Sequence, residues 1–241
     1  MCGRYQRRAD KQRIAEAFAL GNIEGLAMDL DLAPNYNVAP GTMQPVIISD
    51  PDFGTRTLRM MFWRYLPPFC ADPKDFKLST INAASHSLLN GIWKDSFLKR
   101  RCLVPADSFV EWQSAAGRKL PWVFAMKTGE VFALGGVWRR WRSGDRQREM
   151  DTFAIITVEP NELVLETTHH DRMPLIVPKA DWQRWLEPGA PEQPPLDLLR
   201  PFDSLRMKAW RSGTDINSAR NTGPELGTPL EDDSDQQLGM F

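Results

Sequence analysis

Hydrophobic residues in this chain gather in short runs rich in branched and aromatic side chains, and loops of Pro, Gly, Ser and charged residues separate the runs. Runs of this length and composition predict β-strands. They fall at 45–49, 57–65, 102–112, 121–127, 131–138, 152–158 and 174–178. Only Thr128-Gly129-Glu130 separates the fourth run from the fifth, so these two predict a β-hairpin. The segment 34–41, PNYNVAPG, predicts an ordered loop because it is dense in Pro, Asn and Gly.

Helical patterns are confined to a few short segments. Residues 9–20 predict a helix in which Asp10 caps the start and Ile14 and Phe18 share one face. The other predicted helices span 83–95, 161–168 and 179–187. Many strands, few helices, no βαβ alternation and no internal repeat indicate an α+β fold around a mostly antiparallel curved sheet or barrel.

Composition places the chain among ordinary globular proteins. Hydrophobic residues make up 42% and charged residues 25% of the 241 positions, enough for one sizeable core. No linker-like stretch divides residues 1–226, so we expect a single domain followed by an acidic, disordered tail at 227–241. No apolar run approaches the roughly 18 residues of a membrane span, and the N-terminus lacks the apolar segment of a secretory signal. We therefore expect a cytoplasmic monomer without membrane attachment.

Charge and cysteine content narrow the class of function. A net charge of −1 argues against a nucleic-acid binder held by overall charge. Basic residues cluster within 4–8, 99–101 and 139–148, which fits either a basic groove or solvated surface charge. The three cysteines, Cys2, Cys70 and Cys102, have wide spacings that suggest neither a disulfide framework nor a zinc site. We expect no metal and no cofactor.

Cys2 is the most informative residue for chemistry. Methionine before a small residue is commonly removed, which leaves cysteine with a free α-amine beside its thiol. The reference pKa values, about 7.7–8.0 for the amine and about 8.5 for the thiol, give both groups a nucleophilic fraction near neutral pH. The amine can form a Schiff base with an aldehyde, and the sulfur can then close a five-membered thiazolidine in an intramolecular step. The plain alternative is an incidental, frayed terminal residue.

Three further residues are catalytic candidates. Glu111 lies among apolar neighbours in DSFVEW, where desolvation raises a carboxyl pKa and suits it to general acid catalysis; on an amphipathic strand it would instead face solvent. His170, in THHDRMPL, is a candidate proton shuttle or else part of a surface histidine pair. Asn82, in STINAAS, can donate its amide to a reacting oxygen or serve in a turn.

Binding candidates are one cation and several aromatic residues. Arg4 could hold a phosphate close to Cys2, and its alternative is a generic terminal charge. Trp63, Phe69 and Trp112 are candidates for stacking on the bases of a single strand, although aromatic residues in strands more often belong to a core.

Several motifs follow one another in a fixed order across most of the chain. They are MCGRY at 1–5, YNVAPGT at 36–42, IN at 81–82, RCLVPADSFVEW at 101–112 and HDRMPLIV at 170–177, followed by NSARNTGPEL at 217–226. In this combination the sequence resembles the SOS-response-associated peptidase (SRAP) family over roughly residues 1–226. Members of that family form thiazolidine crosslinks to abasic sites in single-stranded DNA. The resemblance implies an α+β sheet-barrel with a positively charged groove and a role in the DNA damage and SOS responses.

The resemblance also implies a role for individual residues. Cys2 would be the covalent nucleophile once Met1 is gone, and in this family Met1 removal can be autocatalytic. Asn82 would orient or polarise the sugar and the N-terminal amine. Glu111 would open the sugar ring to its aldehyde, and His170 would shuttle protons during closure or reversal. Asn37 would shape the pocket and Arg4 would contact a phosphate.

Two segments depart from the family pattern. The family continues IN with Ala-Arg-x-Glu-Thr, whereas this chain has Ala83-Ala84-Ser85-His86-Ser87 and so lacks an arginine that contacts DNA in the family. The family's Trp-Gly-Leu-Ile-Pro-x-Trp is here WRYLPPF at 63–69, in which Arg64 could restore the lost charge and Phe69 could still stack. These departures affect binding more than chemistry.

Three functions compete on these residues. The first is an enzyme that removes its own Met1 and crosslinks to abasic single-stranded DNA, with autopeptidase and lyase-like activity. The second is an N-terminal-cysteine peptidase or amidohydrolase that acts on other molecules, in which the same thiol and amine would serve as nucleophile and base. The third is a non-catalytic module that binds single-stranded DNA.

Overall fold

The apolar runs fold into two β-sheets with short helices at their edges. The computed structural model describes residues 2–20, 32–49, 55–187 and 194–230. In chain order the strands are β1 (Tyr5–Arg7), β2 (Asn35–Val38), β3 (Met43–Ser49), β4 (Arg56–Trp63), β5 (Asn82–Ala84), β6 (Arg101–Ala106), β7 (Ser108–Ala115), β8 (Arg118–Met126), β9 (Phe132–Arg142), β10 (Glu149–Val158), β11 (Met173–Pro174), β12 (Ile176–Val177) and β13 (Met207–Arg211). The helices are α1 (Lys11–Phe18), α2 (Lys94–Lys99), α3 (Glu162–Thr168) and α4 (Trp182–Leu186).

One sheet is open and the other closes into a barrel. The open sheet is antiparallel and has the order β13-β8-β7-β1-β2. In the other sheet, β10 pairs with β4, β4 with β3, β3 with β6, β6 with β9, and β9 returns to pair with β10. Among the described strands only the pairs of β10 with β4 and with β5 are parallel. The expected α+β fold with a mostly antiparallel, barrel-forming sheet is confirmed.

Close packing inside the barrel explains a glycine in β9. A Cβ on Gly136 would lie 2.8 Å from the carbonyl oxygen of Ala154 and 3.0 Å from Cys102 Sγ. Because a protein interior is packed near crystal density, no side chain fits between these strands. Gly136 therefore lets β9 pair with both β6 and β10 at the barrel wall.

The first predicted helix is confirmed with its cap. The carboxylate of Asp10 accepts a 2.9 Å hydrogen bond from the backbone N–H of Arg13, as expected at a helix start. Ile14 and Phe18 are both buried, and Phe18 stacks on Trp182 with the rings 4.1 Å apart. The helices predicted at 161–168 and 179–187 are also present, the first capped by Asn161 and the second entered through a 3₁₀ turn.

Several predicted elements near the N-terminal half are wrong. The predicted loop at 34–41 contains β2, which pairs with the unpredicted strand β1. The predicted helix at 83–95 begins instead as β5, which pairs with β10, and continues as 3₁₀ turns into α2. These short segments adopt their conformations by pairing with distant strands, which a local pattern does not reveal.

The predicted strand at 102–112 is two strands, and the predicted hairpin is wrong. The chain breaks between β6 and β7 at Asp107. Its carboxylate accepts hydrogen bonds from the backbone N–H groups of Arg8 and Ala9 at 2.6 and 2.9 Å. β8 pairs with β7 and β13, whereas β9 belongs to the barrel, so residues 121–127 and 131–138 are not paired with each other. At this turn the chain leaves the open sheet and enters the barrel.

The C-terminal segment lies against the open sheet as far as it is described. Pro229 bridges to Ser212, and the N–H of Leu230 donates to the carbonyl oxygen of Arg211 at 3.2 Å. Residues 227–230, assigned to the tail from sequence, are therefore in contact with the sheet, and the rest of the predicted tail lies outside the described residues. Within the described ranges, no helix has the length and apolar character to cross a membrane.

Candidate active site

Cys2 occupies a fixed position at the entrance to β1. Its side chain is fully buried, and its thiol lies 3.8 Å from the carbonyl oxygen of Arg4. The strand that follows is held between β2 and β7. Gln6 reinforces it by donating from Nε2 to the carbonyl oxygens of Tyr36 and Leu226, both at 2.8 Å. Cys2 is therefore not a frayed terminal residue.

Asn82 holds the backbone of Cys2 directly. It begins β5, whose parallel pairing with Ile155 of β10 fixes its place at the barrel wall. Asn82 Nδ2 donates a 2.8 Å hydrogen bond to the carbonyl oxygen of Cys2. Asn82 Oδ1 is buried and has no hydrogen-bond partner among the described residues. The amide thus positions Cys2 with one end and offers a desolvated acceptor with the other.

Glu111 is a buried carboxyl close to that position. It lies on β7, next to the strand that follows Cys2, and only 1% of its surface is exposed. Burial raises the pKa of Glu111 to about 7, because the charged form is desolvated. The pKa of the Cys2 thiol is raised as well, first by burial and then by the negative charge of Glu111. At neutral pH the site therefore contains a protonated thiol and a carboxyl near its midpoint of titration.

His170 faces Glu111 from the segment after α3. His169 ends that helix in the left-handed conformation, with φ of 55°, and this turns the chain toward β7. The distance from His170 Nε2 to the Glu111 carboxylate is 3.7 Å, and His170 Nδ1 lies 3.2 Å from the carbonyl oxygen of Arg172. Burial lowers the pKa of His170. Desolvation thus favours the neutral form of both groups, an arrangement suited to proton transfer.

A stability measurement tests the buried state of Glu111. Its native pKa of about 7 exceeds the ordinary value of 4.5, so burial favours the protonated form and the fold loses stability as pH rises from about 4.5 to 7. We expect Glu111→Gln to unfold with a free energy roughly 2 kcal/mol higher than wild type at pH 8 and almost unchanged at pH 4. Urea titrations at the two pH values measure this difference. A variant less stable than wild type at pH 8 would contradict the assignment.

Arg4 and Asn37, two predicted binding residues, have different surroundings. Arg4 Nε and Nη1 are buried and have no hydrogen-bond partner among the described residues, and burial lowers the pKa of Arg4. A phosphate could satisfy these donors. Asn37 is buried and donates from Nδ2 to the carbonyl oxygens of Ser218 and Asn221, each at 2.9 Å. It therefore ties β2 to the C-terminal segment.

The three aromatic candidates have different environments. Trp63 is fully buried, packs against Tyr5 and Phe153, and donates its indole N–H to Ile81, so its assignment as a base-stacking residue is wrong. Phe69 is 68% exposed and remains available for stacking. Trp112 is half-buried and donates to Asn217 Oδ1 at 2.6 Å, so it faces the C-terminal segment.

Ala84 stands where the family pattern has an arginine, and a different arginine of this chain lies next to it. Arg64 donates to the carbonyl oxygen of Phe76, so its charge is directed into the loop after β4. Arg172 instead binds both oxygens of Thr157, which pairs with Ala84, and its Nη1 lies 3.4 Å from His86 Nδ1. A guanidinium therefore lies beside Ala84. The signal was present in HDRMP, two residues after His170.

Comparison with known proteins identifies the family. The sequence profile of the SOS response associated peptidase (SRAP) family matches residues 1–219, so the chain belongs to this family. It is 34% identical over 233 residues to the abasic site processing protein YoqW of Bacillus subtilis (strain 168), covering 94% of this chain and 98% of YoqW. It is 27% identical over 267 residues to the abasic site processing protein HMCES of Gallus gallus, covering 96% of this chain and 78% of HMCES.

Solved structures agree on the fold. A protein from Bacteroides thetaiotaomicron superposes with a TM-score of 0.81 at 23% identity, covering 95% of this chain and 100% of that one. A protein from Bordetella bronchiseptica superposes with a TM-score of 0.73 at 22% identity, covering 88% of this chain and 100% of that one. At this level of identity the similarity concerns the fold alone.

Proposed function

We propose that this chain, after loss of Met1, captures abasic sites in single-stranded DNA by a covalent thiazolidine linkage through Cys2. The observation that carries the proposal is the contact between Asn82 Nδ2 and the Cys2 carbonyl, which holds an aminothiol beside a carboxyl whose pKa is about 7. The names of the curated relatives support an abasic-site function in DNA damage.

The reaction begins with two preparatory steps. Hydrolysis of the Met1–Cys2 peptide bond consumes one water, releases methionine and frees the α-amine of Cys2. The protonated Glu111 then donates its proton to the ring oxygen of the abasic deoxyribose, while the hydroxyl at the anomeric carbon gives up its proton to solvent water, and the hemiacetal opens to an aldehyde. An abasic nucleotide has no base to unstack, so bringing its sugar into the site costs little.

The covalent steps use the amine first and the sulfur second. The Cys2 amine adds to the aldehyde carbon, and loss of one water from the carbinolamine leaves a Schiff base. The sulfur then adds to the same carbon, its proton passes through His170 to the nitrogen, and a five-membered thiazolidine results. Because the pKa of the buried thiol is raised, the thiol needs a base at this step, and burial keeps His170 in the neutral, basic form. The net change from the aldehyde is the loss of one water.

A denaturing gel tests the proposal. The purified protein is incubated with a single-stranded oligonucleotide that contains one abasic site, and a band of protein bound to DNA is expected. Cys2→Ala should lose this band. Cys70→Ala is its matched control and should keep the band, since Cys70 is another buried cysteine, in the loop after β4. Absence of the band with protein lacking Met1 would rule out covalent capture. Salt-dependent binding to the strand with no covalent band would instead favour a non-catalytic module that binds single-stranded DNA.

The role of Asn82 gives a further prediction. Asn82→Ala removes the 2.8 Å hydrogen bond to the Cys2 carbonyl, so the amine is less well positioned for attack. We expect crosslinking to slow by about tenfold in a single-turnover time course. Asn82→Asp, which keeps an acceptor and loses the donor, should be equally slow. Rates equal to wild type in both variants would remove this role.

A peptidase acting on other proteins is the second candidate, and the family description favours it. The complete burial of Cys2 and the raised pKa of its thiol weigh against attack on an external peptide. We infer that hydrolysis is confined to Met1. Intact-mass measurement of wild type and Cys2→Ala, both expressed without methionine aminopeptidase, tests this, with Met1 retained only in the variant. Cleavage of peptides added in trans would favour the second candidate instead.

A further inference from the structure

A cross-strand row on the open sheet extends the site beyond the four catalytic candidates. Glu111 of β7 lies directly opposite Trp122 of β8, and Trp122 lies directly opposite Arg211 of β13. In antiparallel pairs, residues directly opposite each other project from the same face, with Cβ atoms about 5 Å apart. Trp122 and Arg211 therefore share the face of Glu111, and Arg211 begins about 10 Å from it.

Trp122 lies on the opposite face of the open sheet from Trp112, the aromatic residue predicted from the sequence to stack on bases. Alternation along β7 directs Trp112 to the opposite face, where it packs with Val110, Val123 and Ile216. Trp122 is half-buried, and its indole N–H points to Gln113 Oε1 at 3.4 Å, one position further along the face of Glu111. Trp122 thus lies on the same face of the sheet as the carboxyl of Glu111, directly opposite it across the strand pair.

Arg211 has a free donor and no acidic partner in the described structure. Its Nε is buried without a hydrogen-bond partner among the described residues, and no described Asp or Glu forms an ion pair with it. A buried donor without an acceptor is costly, so the arrangement favours an anion that supplies one. The guanidinium geometry suits a phosphate, which can accept two parallel hydrogen bonds.

We propose that Arg211 and Trp122 form a DNA subsite in which Arg211 binds the backbone phosphate of a nucleotide next to the abasic site and Trp122 packs against the adjoining sugar or base. The subsite rests on the proposed function, because it takes Glu111 as the position of the abasic sugar. It supplies a phosphate contact on the side of Glu111 away from β1, the strand that follows Arg4.

Equilibrium binding tests the subsite without requiring the covalent reaction. The probe is a fluorescent single-stranded oligonucleotide with one tetrahydrofuran abasic analogue, which has no aldehyde. We expect Arg211→Ala to raise Kd about fivefold and to reduce the dependence of log Kd on log salt by about one phosphate contact. Arg211→Lys should restore the salt dependence and part of the affinity. Arg142→Ala, which removes an exposed arginine from the barrel, should match wild type.

Three additional measurements make the outcome decisive. The acidic residues from Glu231 follow directly after Leu230, which binds the backbone of Arg211, so each variant is also measured in a chain that ends at Leu230. Thermal melting of Arg211→Ala controls for folding, and Trp122→Phe, which keeps a ring, should bind more weakly than wild type by about twofold. An unchanged Kd and salt dependence for Arg211→Ala in both chain lengths would overturn the subsite. Failure of wild type to crosslink an aldehyde-containing strand would instead count against the proposed function.

Discussion

Cys2→Ala is expected to lose the heat-stable adduct with abasic DNA completely, a reduction of at least about 1,000-fold in its rate of formation. When methionine aminopeptidase has removed Met1 from this variant, the alanine has a free α-amine and can still form a Schiff base, but it has no sulfur to close the ring. The intramolecular attack of sulfur is what makes the product durable, because its effective concentration is very high. Gel analysis after heating measures the loss.

Borohydride provides the control for this variant. It reduces a Schiff base to a stable amine, so Cys2→Ala treated with borohydride during incubation should yield an adduct, whereas the wild-type adduct should form without it. That result would show that the variant is folded and that its amine reaches the aldehyde. A heat-stable adduct from Cys2→Ala without reduction would mean that another residue is the nucleophile.

Glu111→Gln is expected to slow crosslinking by about 100-fold, as removal of a general acid typically does. The acid must be protonated, and its pKa is about 7, so the wild-type rate of ring opening should fall as pH rises above 7. Glutamine cannot donate this proton, and its slow rate should show no inflection near 7. Single-turnover rates from pH 5.5 to 8.5 measure both effects.

A substrate that needs no ring opening separates this role from a structural one. An oligonucleotide that carries an open-chain aldehyde should react with Glu111→Gln within about threefold of the wild-type rate, because the acid has no sugar ring to open. Equal impairment on both substrates would assign Glu111 to positioning. A wild-type profile that stays flat across neutral pH would remove it from the rate-determining step.

The fold was predictable wherever strands are buried on both faces. The runs at 45–49, 131–138 and 152–158 are strands of the barrel, since a buried strand reads as continuous apolar sequence. β1, β2 and β5 were missed because segments of three or four residues are too short to show a periodic pattern, and they are strands only through their partners. The false hairpin has the same origin, because turn chemistry does not specify which sheet the next strand joins.

The sequence motifs predicted residues that the structure brings close together, and they were less informative about the surroundings of those residues. The ordered motifs named Cys2, Asn82, Glu111 and His170, and the structure brings the segments that carry them together. Trp63 was misassigned because a motif does not distinguish a buried aromatic residue from an exposed one. Trp122 was missed because its nearness to Glu111 depends on the register between β7 and β8, which the sequence of either strand alone does not specify.

The mass of the isolated adduct tests the central claim most directly. If the aminothiol of Cys2 forms a thiazolidine, the adduct should have the mass of the protein without Met1 plus the abasic strand, less one water. Borohydride should leave that mass unchanged, since no imine remains. An adduct that retains Met1, or one that becomes stable only after gaining two hydrogens on reduction, would contradict the account.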